Sequence, residues 1–98
     1  MQIKIKNQEF KTIDVPTPSY WKRKYSGTLV RITEQGVLKI HPDAIFWATT
    51  PKDYDYYFNS DIVEALEGEL ITSHEFNNKY RETITYLNEQ FKKNETKI

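Results

Sequence analysis

Polar and apolar residues alternate from Gln2 to Lys6, which sets Ile3 and Ile5 on one face and predicts a β-strand. The pattern resumes from Phe10 to Val15 through Ile13, and the Asn7-Gln8 pair between the two runs predicts a turn. Pro16-Thr17-Pro18-Ser19 then interrupts regular structure. Proline lacks an amide donor and restricts the residue before it. Thr28 to Thr33, with Leu29, Val30 and Ile32, predicts a strand, and Val37 to Ile40 predicts its return. Glu34-Gln35-Gly36 forms the turn between them, with Gly36 expected in a left-handed position. His41-Pro42-Asp43 predicts the next turn, and Ala44 to Thr49, carrying Ile45, Phe46 and Trp47, the next strand. After Thr50-Pro51-Lys52, the stretch Tyr54 to Phe58 predicts one more.

The period changes in the last third. Ser60 is a candidate cap for a short helix over Asp61 to Glu67, with Gly68 as its stop. Thr72 or Ser73 is the candidate cap of a second helix, and Thr72 with Glu75 has capping-box spacing. Phe76, Tyr80, Ile84, Leu87 and Phe91 recur at steps of 4, 4, 3 and 4, which predicts one apolar helix face extending to about Lys92. Burying its side chains would contribute roughly 1.5–3 kcal/mol each before entropy is counted.

These elements predict an α+β fold. A small antiparallel β-meander of four to six strands, curled or partly barrel-like, is followed by a short helix and a long C-terminal amphipathic helix packed on the sheet. The 98 residues are expected to form a single domain, mainly β over 1–59 and mainly α over 60–93, with a frayed tail over 94–98.

Composition narrows the chemistry. There is no cysteine, which removes disulfides, thiolate catalysis and every cysteine-based metal site. No apolar run approaches the ~20 residues of a bilayer span. Met1 to Lys11 alternates Lys with Ile and lacks the apolar core of a signal peptide, so an intracellular, cytoplasmic location is the default expectation. The polar face of the last helix mixes Glu75, Lys79, Arg81, Glu82, Glu89 and Lys92, unlike the basic face of a membrane-surface helix, so no membrane partner is expected.

Charge is balanced overall but not along the chain. Residues 1–52 hold nine Lys/Arg against four Asp/Glu, whereas residues 53–98 hold five against ten. Such polarity steers partners, or it reflects two surfaces that attract each other within the fold.

Two segments are candidate binding surfaces. The first is the acidic tyrosine stretch Asp53, Asp55, Tyr56 and Tyr57, continued by Asp61 and Glu64. As a strand it would place Tyr54, Tyr56 and Phe58 on one face and Asp53, Asp55 and Tyr57 on the other. Carboxylates beside phenols suit a basic protein partner, and such a surface can also imitate nucleic-acid phosphates. The second is Tyr20, Trp21, Lys22, Arg23, Lys24 and Tyr25, where rings could stack on unpaired bases while cations meet phosphates. Lys11, Arg31 and Lys39 would extend that patch if the sheet gathers them.

Acids at Asp53, Asp55, Asp61 and Glu64 imitate the first, third, ninth and twelfth positions of an EF-hand loop. Tyr57 and Phe58 occupy the fifth and sixth positions, where the loop needs an oxygen ligand and a glycine, so calcium is rejected and no metal or cofactor is expected. His41 beside Asp43 is the one acid/base candidate, without a nucleophile motif to support it. The leading expectation is therefore a small non-enzymatic accessory protein that binds a protein partner. Single-stranded nucleic-acid binding through residues 20–25 is the alternative, and an enzyme around His41 the third reading. The Lys-, Asn- and Ile-rich usage resembles that of small bacterial or phage accessory proteins. Exposed strand edges near Ile3 or Tyr56 would admit a homodimer.

Overall fold

The protein is described by a computed structural model covering residues 1–96. The elements run β1 (Gln2–Asn7), β2 (Glu9–Asp14), β3 (Ser19–Lys22), β4 (Leu29–Thr33), β5 (Gly36–His41), β6 (Ala44–Thr49), α1 (Tyr56–Leu66), β7 (Glu69–Leu70) and α2 (Ser73–Thr96). β1 and β2 form a separate hairpin, and the other strands form an open antiparallel sheet ordered β6-β5-β4-β3-β7. β4 to β6 are strands of the expected meander, whereas β3 and β7 are strands that the alternation did not predict. The chain then crosses through α1 to add β7 beside β3. The sheet does not close into a barrel, because its edges β6 and β7 are not paired with each other.

Both faces of the sheet are covered. Registered partners lie on the same face, so Trp21, Val30, Lys39 and Phe46 share one, with Ile32, Val37 and Ala48 in the next row. α1 and the β1–β2 hairpin cover this face, where Ile3, Val15, Val30, Ile32, Val37, Phe58, Ile62 and Ala65 make the first core. On the opposite face Leu29, Leu38 and Ile40 meet Phe76 of α2, with Tyr20, Ile45, Ile71 and Tyr80 around them. This sandwiching explains why β4 and β5 read as nearly continuous apolar runs rather than as clean alternations.

Several expectations are corrected. Tyr54 to Phe58 is not a strand: Asp55 is the N-cap of α1, and its carboxylate accepts the Phe58 N–H at 2.8 Å. The helix therefore begins at Tyr56 rather than Asp61, Ser60 lies inside it, and no strand edge exists at Tyr56 for a second copy to join. A capping aspartate outweighs strand propensity once Phe58, Ile62 and Ala65 share a buried helical face. The outer edge of β1 is in part occupied, since the Asn59 side-chain amide donates to the Lys4 carbonyl.

Gly36 is not in a left-handed conformation. A Cβ there would overlap the Ala48 carbonyl oxygen, so close approach of β6 is what requires glycine. The positive φ falls instead at Gly27 and at Gln8, the one-residue connection between Asn7 and Glu9. α2 continues to Thr96, past the expected fraying point at Asn94, and residues 97–98 lie outside the described chain. Of the two candidate caps, Thr72 is the one that caps α2, accepting the Glu75 N–H at 3.1 Å, and Ser73 is the first helical residue.

The apolar stripe of α2 is only partly used. Phe76 and Thr83 are buried, but Phe91 is 64% exposed. The steps from Phe76 to Phe91 total 15 residues, just over four turns, so the stripe drifts about 60° around an ideal helix. No residue of α2 beyond Thr83 is buried among the described residues.

Candidate interaction surface

The two charged halves meet inside the fold. Arg23, just after β3, pairs with Glu64 on α1, and Lys39 Nζ on β5 lies 3.0 Å from the Asp61 carboxylate. Asp55 is committed to the helix cap. Three of the acids in the candidate stretch therefore have structural partners, and two ion pairs join the basic half of the chain to the acidic half.

The remaining members of that stretch face solvent. Tyr56 and Tyr57 start α1 with their rings edge to face at 5.5 Å, 63% and 79% exposed. Tyr54, in the preceding loop, packs edge to face on Phe10 of β2 at 5.0 Å. Phe10 is itself 55% exposed, with the Lys4 and Lys6 ammonium groups each 5.5 Å from its ring centre. Between the hairpin and α1 lies a cleft of about 340 Å³, lined by Ile5, Lys6, Tyr54, Tyr56, Asn59, Val63 and Glu67 among others. The result is a neighbourhood of exposed rings around a shallow polar cleft. Asp53 is exposed beside it.

Phe10, Lys4 and Lys6 were not legible as members of this surface. They are more than 40 positions from Tyr54 in the chain. Only the docking of the hairpin on α1 unites them.

The basic aromatic segment is divided by its own strand. Tyr20 faces α2 and stacks at a tilt on Phe76, 5.4 Å between centres. Trp21 faces the first core, and its indole N–H donates to Ser19 Oγ at 2.8 Å. Arg23 is held by Glu64. Lys22, Lys24 and Tyr25 remain exposed, with Lys24 Nζ 5.4 Å from the Tyr25 ring centre. The wider patch is not assembled. Arg31 lies under α2, its guanidinium 5.9 Å from the Phe76 ring, whereas Lys39 is on the opposite face of the sheet.

His41 closes the β5–β6 hairpin. Its Nδ1 is 3.2 Å from Thr28 Oγ1, which accepts the Ser26 hydroxyl at 2.9 Å. Its ring also packs edge to face on Phe46. Asn78 and His74 are side-chain neighbours on α2 at 3.2 Å. No group of three or more His, Asp or Glu suited to a metal ion occurs among the described residues. Among the described residues, no helix is long and apolar enough to cross a membrane.

Comparison with known proteins finds no family model, curated protein or solved structure that matches the chain. The functional reading therefore rests on the residues themselves.

Proposed function

We propose that this chain is a non-enzymatic interaction protein that binds another protein through the aromatic surface of Phe10, Tyr54, Tyr56 and Tyr57. The observation that supports this reading is the exposure of Tyr56 and Tyr57 at the rigid, Asp55-capped start of α1. Tyrosine offers a large contact area at little conformational cost, and it is enriched among the residues that dominate binding energy. Asp55, Asp61 and Glu64 already have partners. Recognition is therefore assigned to rings, with Asp53, Lys4 and Lys6 supplying polar contacts at the edge. Tyr56→Ala with Tyr57→Ala should remove a protein partner captured from native lysate, with nuclease treatment making no difference and the far-UV circular dichroism unchanged. Each tyrosine at a hot spot is worth about 2 kcal/mol, close to 30-fold in affinity. Undiminished capture by the double variant refutes the assignment.

A second reading, single-stranded nucleic-acid binding, is favoured by Lys22, Lys24 and Tyr25, which stay exposed together near the β3–β4 turn. It requires retention on single-stranded DNA or RNA that falls steeply with salt and weakens in Lys24→Ala and Tyr25→Ala. No retention at low salt eliminates it.

A further inference from the structure

We propose that the free edge of β6 and the overhanging half of α2 together form a two-fold interface with a second copy of this chain. It is carried by observations separate from those behind the aromatic surface.

The edge comes first. β6 lies at the end of the sheet and reads Ala-Ile-Phe-Trp-Ala-Thr, with no charge and no proline. Natural edge strands usually carry such residues to block pairing with another chain. Thr50 N–H donates to Gln35 O at 3.0 Å, and the β5–β6 register pairs Val37 with Ala48, Lys39 with Phe46 and His41 with Ala44. Hydrogen-bonded pairs alternate along an antiparallel ladder. The inward bonds therefore belong to Ala44, Phe46 and Ala48, and the N–H and C=O groups of Ile45, Trp47 and Thr49 point away from the sheet. A second β6 presents the same outward set. Odd positions must then meet odd positions, so at greatest overlap the two-fold axis passes through Phe46 or Trp47.

The helix gives the second part. α2 starts beside β3, where Ile71 N–H donates to Tyr20 O at 2.9 Å, and reaches β6 at the far side of the sheet. Three strand spacings cover roughly 14 Å. The 24 residues of α2 extend about 36 Å. The C-terminal half consequently runs past the β6 edge. The chain measures 52 × 28 × 24 Å, with a radius of gyration of 15.4 Å against about 13 Å for a compact chain of this length. Ile84 and Leu87 are half-buried, while Tyr86 and Phe91 are 43% and 64% exposed.

Pairing β6 with its copy about an axis normal to the sheet keeps α2 and its counterpart on the same face. Each overhang then crosses onto the partner's sheet, antiparallel to the partner's α2. The 60° drift of the apolar stripe fits this geometry: Phe76 faces its own sheet, and Phe91 turns toward a neighbour. Asn88 and Asn94 flank the overhanging stripe without charge, and Glu95 follows one turn after Phe91. Strand and overhang together approach the roughly 20 residues a side of a standard interface.

The test uses the whole chain. Sedimentation equilibrium should give twice 11.7 kDa at micromolar concentration, and 11.7 kDa for Thr49→Pro and for Phe91→Glu. Thr49→Pro removes only an outward amide, as edge prolines do. Phe91→Glu alters only an exposed side chain, and circular dichroism checks that both variants fold. The chain has no cysteine, so single-cysteine variants are unambiguous. Facing Cα atoms at a two-fold axis lie about 4.5–5.5 Å apart, within disulfide range. Phe46→Cys or Trp47→Cys should cross-link on mild oxidation, and Tyr25→Cys should not. A monomeric wild type, a dimer that survives either Thr49→Pro or Phe91→Glu, or cross-linking no greater than that of Tyr25→Cys overturns the proposal.

Discussion

Lys39 Nζ on β5 sits 3.0 Å from the Asp61 carboxylate on α1, joining the basic first half of the chain to its acidic second half across the first core. Both side chains are about a quarter exposed, at 22% and 26%, so solvent screens the pair only in part. Asp61→Asn should therefore lower the unfolding free energy by about 1–2 kcal/mol, between the values for exposed and desolvated charged hydrogen bonds. Replacing both partners, as Lys39→Met with Asp61→Leu, should recover most of that loss, because no charge is then left unpaired. Urea unfolding of Lys39→Met, Asp61→Leu and the double variant measures this. A loss in the double variant equal to the sum of the two single losses would contradict a direct interaction.

The start of α1 offers a second measurement. Asp55→Ala removes the acceptor for the Phe58 N–H and should cost about 1 kcal/mol. Ser60→Ala, inside the same helix, should change stability by less than about 0.5 kcal/mol. The reverse order would restore Ser60 as the cap.

The two ends of α2 should respond differently. Phe76 is 0% exposed at the centre of the second core, and Phe76→Ala should cost about 3–5 kcal/mol. Phe91→Ala, measured by thermal unfolding at submicromolar concentration where copies are separated, should stay within about 0.5 kcal/mol of wild type. A Phe91 loss comparable to that at Phe76 would mean that the helix end is packed within one chain.

Backbone geometry predicts opposite effects at two turns. Gln8 adopts φ +69°, where a side chain is strained, so Gln8→Gly should stabilise the β1–β2 hairpin by up to about 1 kcal/mol. Gly36→Ala forces a Cβ against the Ala48 carbonyl oxygen and the Thr49 backbone, so its melting temperature should fall. Differential scanning calorimetry of both variants resolves the two signs.

Local patterns fixed much of the architecture. The strand alternations, the turns at Glu34-Gln35 and Pro42-Asp43, the Thr72 cap and the 3.6-residue period of α2 are properties of residues within a few positions of one another. They determined an antiparallel meander followed by helices, the absence of cysteine chemistry and the two charged halves. Tertiary structure decided what depends on distant neighbours. Whether Tyr54 to Phe58 became strand or helix turned on the capping bond of Asp55 and on space for Phe58, Ile62 and Ala65 in the first core. Whether Trp21 was a platform or a core residue turned on β7 and α1 closing over β3. The exposed ring cluster arose because Asn59 anchors the hairpin and brings Phe10 to Tyr54. The reach of α2 beyond β6 follows from comparing a helix length with a sheet width. The helix length is written in the sequence, but the sheet width exists only after the strands have paired.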